Sequence, residues 1–96
     1  MNVLVAYDVG TADEEGKRRL RRVAKICEGY GQRVQYSVFE VTCSQAHYVR
    51  LIADLRGAIV DGEDSLRIYQ FDRSGFDDVL RIGRQMAFEP REPWSI

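Results

Sequence analysis

Three short stretches of this chain carry side chains with chemistry to offer. An apolar run near the start ends in Tyr7-Asp8, which puts a carboxylate at the edge of a sheet. From Lys17 to Lys25 the chain then carries Lys17, Arg18, Arg19, Arg21, Arg22 and Lys25, with the acids Asp13, Glu14 and Glu15 confined to the start of the same segment. Residues 31–40 read Gly-Gln-Arg-Val-Gln-Tyr-Ser-Val-Phe-Glu, a basic and polar strand stripe ending in an aromatic. Arginine forks onto phosphate oxygens, and magnesium takes oxygen ligands from one or two carboxylates together with water and phosphate. Nucleic acid with a divalent metal is the chemistry these residues suggest.

Each group also has a plainer reading. A carboxylate between a strand and a helix, such as Asp8, commonly forms a turn or cap; two Asp8 side chains meeting across a two-fold axis would instead hold one magnesium ion against a phosphodiester. The cationic run can be a solvated helix face partly paired with Glu14, Glu15 and Glu28. Arg18 and Arg22 lie one turn apart with Lys25 near them, a spacing suited to tracking phosphates. Arg33, Gln35 and Ser37 alternate onto one strand face, where they serve phosphate or simply form a polar or dimer surface. Phe39 can stack on a base or fill a core or interface.

Other catalytic arrangements are missing. His47 has no acidic or cysteine neighbour that would make it a general base. No Ser-His-Asp set or phosphate-cradling glycine loop can be assembled. Cys27 and Cys43 lack Cys-x-x-Cys spacing and read as small buried hydrophobes, which argues against zinc and redox chemistry.

The elements that must position these groups follow from periodicity. Residues 3–8 form a short Val-rich strand bounded by Gly10. Thr11 and Glu14 fit a capping box for a helix with Leu20, Val23, Ala24, Cys27 and Tyr30 on its apolar face, stopped by Gly29 and Gly31. Residues 33–43 read as one long strand whose parity changes from Val34, Tyr36 and Val38 to Phe39, Val41 and Cys43, which predicts a bulge or kink near Phe39. Ser44 caps a second helix carrying Tyr48, Leu51, Ile52, Leu55 and Ile59 and ending near Gly57. After an Asp61-Gly62 turn, residues 64–71 form another strand, and residues 79–84 a short closing one. Pro90 and Pro93 leave an extended tail.

This order predicts an α+β, ferredoxin-like βαββαβ sandwich with both helices on one face of an antiparallel sheet. The first strand is apolar on both faces: Val3, Val5 and Tyr7 point one way and Leu4, Ala6 and Asp8 the other. Two helices cover one face only, so a homodimer through the other is expected. With 96 residues the chain is one domain, taken as residues 1–87 with a tail at 88–96. A net charge of −1 means that affinity for a polyanion must come from local clustering. Neither a leader nor a membrane-spanning run is present, which predicts a cytoplasmic protein.

Tyr7-Asp8, the basic helix with Arg18 and Arg22, and the run Gly31-x-Arg33-x-Gln35-x-Ser37-Val38-Phe39-Glu40 together resemble the small CRISPR-associated endoribonuclease family, the second member of the universal CRISPR adaptation pair. Length, element order and motif spacing agree over nearly the whole chain. The resemblance implies a homodimer that joins the larger CRISPR integrase to insert captured DNA as new spacers, with a proposed nuclease activity on RNA or DNA. It implies Asp8 as the magnesium ligand, one from each subunit, Arg22 and Arg33 as basic residues of binding or catalysis, and Phe39 as the motif aromatic. Lys17, Arg18, Arg21 and Lys25 join Arg22, Arg33 and Phe39 as candidates for contacting RNA or duplex DNA. Two further functions fit the same residues: a non-catalytic adaptor that grips duplex DNA, and a toxin-like ribonuclease of the same fold.

Overall fold

Alternation along β1 (Asn2–Val9) sets the architecture: Val3, Val5, Tyr7 and Val9 are buried, while the intervening residues are half-buried or exposed. The computed structural model describes residues 1–72 and 75–84. The chain runs on through α1 (Glu14–Glu28), β2 (Gln32–Gln35), β3 (Val38–Thr42), α2 (Gln45–Ala58) and β4 (Asp64–Phe71), followed by a 3-10 turn at Gly75–Asp78. The sheet order is β2-β3-β1-β4 with every neighbouring pair antiparallel. This is the expected βαββαβ sandwich, and β1, being central, needs apolar residues on both faces.

The core lies between the sheet and the helices. Val3, Val5, Tyr7 and Val9 meet Phe39 and Val41 of β3, Val23 and Cys27 of α1, and Leu51, Leu55 and Ala58 of α2. Leu66 and Ile68 of β4 pack against this cluster from one side. Helix α2 starts at Ser44, whose hydroxyl accepts from the His47 amide at 3.1 Å, as expected. Helix α1 is capped by Asp13 rather than Thr11: the extended Asp13 accepts from the Gly16 amide at 2.8 Å. A carboxylate there also meets the positive end of the helix dipole, which a Thr11 cap would not.

The segment read as one long strand is a hairpin. Tyr36 and Ser37 turn the chain between β2 and β3, and the bulge falls in β2 between Arg33 and Gln35, across from Phe39 and Val38 rather than at Phe39 itself. Val34 is the extra residue. Because paired residues share a face, Arg33 opposite Phe39 points toward the helices while Gln35 opposite Val38 points away. The proposed strand at residues 79–84 is likewise corrected. These residues have no regular structure, Leu80 and Ile82 are 82% and 81% exposed, and Gly83 sits at φ 85°. That glycine geometry is incompatible with continued strand pairing. The tail at 88–96 and the domain boundary at 87 lie outside the described residues.

The second sheet face carries Leu4, Ala6 and Asp8 of β1, Val38 and Glu40 of β3, and Ser65, Arg67, Tyr69 and Phe71 of β4. Among the described residues no α-helix covers it. The 3-10 turn reaches one end, where Phe76 meets Phe71 edge-on at 5.4 Å. No described helix is long and apolar enough to cross a membrane.

Candidate functional site

Asp8 stands on the open face near the end of β1 and is its one exposed residue. On the β3 side, pairing with β1 runs only as far as Ala6 opposite Val38, because the chain turns away at Tyr36-Ser37. On the β4 side the register continues, and Asp8 is directly opposite Ser65. Residues paired in this way share a face, with Cβ atoms about 5 Å apart. Asp8 therefore borders a strand on one flank and a hairpin tip on the other.

Tyr7 fixes that tip. Its amide donates to the Ser37 carbonyl at 3.1 Å and its hydroxyl to the Tyr36 carbonyl at 3.3 Å. The ring stacks on Phe39 with centroids 6.2 Å apart. Burial pushes the Tyr7 phenol up to about 12, against an opposing influence of Arg33, so it stays a protonated donor at neutral pH. Tyr36 itself is 65% exposed and presents its ring to solvent at the hairpin tip.

Arg33 and Phe39 belong to the interior. The Arg33 side chain is 1% exposed, its guanidinium carbon lies 4.9 Å from the centre of the Phe39 ring, and Nη2 is 3.9 Å from Glu28 Oε2 at the end of α1. Phe39 is fully buried, so it has the core position and not a surface from which to stack on a base. The expected shared face of Arg33, Gln35 and Ser37 does not exist, since the bulge sends Arg33 to the other side of the sheet. Cys27, also buried here, has its thiol pushed up to about 12 by that burial, which makes it inert.

The cations of α1 divide into two groups. Lys17 pairs with Glu14 at 3.3 Å, Arg18 pairs with Glu15, and Arg19 turns inward to Asp64. Arg21, Arg22 and Lys25 are exposed, and no ion pair among the described residues engages them. Their spacing puts them on the side of the helix opposite buried Val23 and Cys27. They face away from the sheet, whereas Asp8 projects from the sheet's far face. Among the described residues, the carboxylate, the buried Arg33 and the exposed cations of α1 occupy three separate places.

No group of three or more His, Cys, Asp or Glu side chains is placed to hold a metal ion among the described residues. What the chain offers is a solvent-exposed carboxylate with the Ser65 hydroxyl on the neighbouring strand. That donor set is hard and oxygen-only. It fits magnesium, which keeps most of its water and needs few protein ligands, and does not fit zinc. Sequence reasoning missed Ser65 because its place beside Asp8 depends on strand register, and missed Tyr36 because its exposure depends on a turn that carries neither Gly nor Asn.

Comparison with known proteins shows the family and the fold. The family profile described as CRISPR associated protein Cas2 matches residues 1–79. A CRISPR-associated endoribonuclease Cas2 of Nitratidesulfovibrio vulgaris is 42% identical over 93 residues, covering 97% of this chain and 91% of that protein. A CRISPR-associated endonuclease Cas2 of Halalkalibacterium halodurans is 41% identical over 93 residues, covering 97% of each chain. The crystal structure of Streptococcus pyogenes Cas2 superposes with a TM-score of 0.78 at 43% identity, covering 86% of this chain and 100% of that one.

Proposed function

This chain belongs to the family of CRISPR associated protein Cas2, and from that premise we propose that it is a homodimeric CRISPR adaptation protein that works with the CRISPR integrase to acquire spacers and has a magnesium-dependent endoribonuclease activity. The observation that carries this reading is the position of Asp8, the single exposed residue of β1, on a partly apolar sheet face that no described α-helix covers. A second copy placed on that face buries Leu4, Ala6 and Val38 and brings two Asp8 carboxylates toward one axis. The relatives named endoribonuclease and endonuclease support phosphodiester cleavage as the reaction class.

The paired Asp8 carboxylates would hold the magnesium, which supplies Lewis-acid stabilisation of the phosphate charge and an activated water. The remaining work falls to the protein. A second copy on this face would bury Ala6 and Val38, the apolar pair nearest the carboxylate, with Arg67 of β4 opposite Ala6. Tyr7 keeps the hairpin tip in register beside the carboxylate. Ser65, on the same face, orients a phosphate oxygen or a water by its hydroxyl. Arg33 shapes the core behind the site, while Arg21, Arg22 and Lys25, with Lys17 and Arg18 beside them, attract the polyanion.

The test is magnesium-dependent cleavage of labelled single-stranded RNA and of duplex DNA by wild type and Asp8→Ala, with filter binding to duplex DNA in parallel. Cleavage that requires both magnesium and Asp8 is the expected result. A second reading, a non-catalytic duplex-binding adaptor, is favoured by the free cations on the side of the molecule away from Asp8. In that case neither protein cleaves, both bind duplex DNA with a steep salt dependence, and Asp8→Ala still supports spacer acquisition.

A further inference from the structure

The Asp64 side chain has no solvent exposure, yet it gathers four hydrogen bonds from three different parts of the chain. Its Oδ1 accepts from the Gly10 amide at 3.1 Å, just past the end of β1, and from Arg19 Nη2 at 3.3 Å. Its Oδ2 accepts from Arg19 Nε at 2.8 Å and from the Val60 amide at 2.8 Å, in the connection from α2 to β4. Arg19 completes the set with a 3.2 Å bond to Glu63, and only 14% of its side chain is exposed. The neighbouring Arg19 guanidinium, aided by the Val60 and Gly10 amides, holds the Asp64 carboxyl below the usual range.

This cluster sits on the residues that decide where Asp8 points. Val9 pairs with Asp64 and Asp8 with Ser65 in consecutive register positions, so the carboxylate of Asp64 lies on the helix side directly behind the open-face pair. Gly10 cannot relax away from it. A Cβ on Gly16 would come within 1.8 Å of the Gly10 carbonyl oxygen, which means that the first turn of α1 is packed flush against the backbone leaving β1. The exit of β1 is thus held from one side by Asp64 and from the other by the helix.

We propose that Asp64, oriented by Arg19, is a positioning residue for Asp8: it fixes the β1 exit so that the Asp8 carboxylate leaves the sheet in one direction. The proposal deepens the reading of Asp8 as the magnesium ligand and rests on it. It also removes Arg19 from the phosphate-binding cations, although Arg19 stands in the middle of the basic run.

The experiment compares wild type, Asp64→Asn, Arg19→Lys and Asp8→Ala as full-length folded proteins, using Mn²⁺ as the probe metal. Mn²⁺ half-saturation is read by electron paramagnetic resonance, and Gly10 amide protection by hydrogen exchange. We expect Asp64→Asn to lose Gly10 protection and to raise the Mn²⁺ half-saturation about tenfold, the scale on which outer-shell partners act. Arg19→Lys, which keeps the charge and loses the fork, shifts both in the same direction by less. The KM for RNA stays at the wild-type value. If Asp8→Ala abolishes Mn²⁺ binding while folded Asp64→Asn and Arg19→Lys bind it as wild type does, the positioning role is overturned and the metal reading survives. If wild type and Asp8→Ala bind Mn²⁺ equally, the metal reading falls and the proposal with it. Should Asp64→Asn fail to fold, Arg19→Lys decides by the same two readouts.

Discussion

Val3, Val5, Tyr7 and Val9 lie beneath two helices, whereas Leu4, Ala6 and Asp8, each one residue along, look out from the other side of the same strand. On the covered side the polar groups turn inward: Tyr7 bonds the hairpin tip, Asp64 binds two amides and an arginine, and Arg33 lies over Phe39. On the open side a carboxylate and several apolar side chains remain exposed or half-exposed. None of these contacts uses the Asp8 side chain, which stands exposed on the other face. The difference separates residues kept for stability from residues available for function, even though both sets contain arginine, carboxylate and aromatic side chains.

Substitution should follow that division. Phe39→Ala is expected to cost about 3–5 kcal/mol in denaturant unfolding, since it empties the centre of the covered side; against a typical total of about 5–15 kcal/mol, that is a large share of the stability. Arg33→Lys should cost about 2 kcal/mol, because a lysine ammonium is more strongly hydrated and does not lie flat on the Phe39 ring. A loss under about 0.5 kcal/mol would move Arg33 into the functional set. Asp8→Ala, by contrast, should leave unfolding free energy within about 0.5 kcal/mol of wild type while removing cleavage. Arg22→Ala should be equally silent in stability. It should weaken duplex binding uniformly across sequences and reduce the salt slope by about 1.

The smallest effects concern pH, and the two faces carry opposite signs. Asp64 has its folded-state pKa lowered below its ordinary 3.8, first by the Arg19 hydrogen bond. Its contribution is fully present above that value and is lost as pH falls through the lower folded value. Asp64→Asn should therefore flatten this part of the acid limb of a stability-versus-pH curve. Glu40, on the open face, is raised above its ordinary 4.5 by burial, with Arg81 opposing. It costs stability as pH climbs from that value through the raised one, so Glu40→Gln should gain relative to wild type across that window. Urea titrations from about pH 2 to 7 measure both.

Much of the fold could be read from periodicity. The Val-rich first strand, the amphipathic α1, Ser44 as the cap of α2 and the strand after Asp61-Gly62 all depend on local pattern, and local pattern identifies them. The hairpin was not legible. Its turn residues are Tyr36 and Ser37, and among the described residues no non-glycine residue has positive φ, so the Asn-Gly signal of a tight hairpin is absent. Arg33 was misjudged for a related reason: one extra residue at Val34 reverses facing, and alternation counted across a bulge gives the wrong side. In the candidate site, Asp8 stood out as a carboxylate ending an apolar strand. Ser65 and Asp64 did not, because their bearing on Asp8 exists only once strands distant in sequence are placed side by side. The cations of α1 were legible as a group but not individually, since Arg19 turns inward only when a buried carboxylate is there to receive it.

Tyr7 grips the Tyr36-Ser37 tip by its amide and its hydroxyl and is covalently joined to Asp8. The tip and the carboxylate therefore form one stiff mechanical unit. The exposed Tyr36 ring is thereby tied, through its own backbone carbonyl, to the residue that precedes Asp8, so the tip and the carboxylate share one anchor.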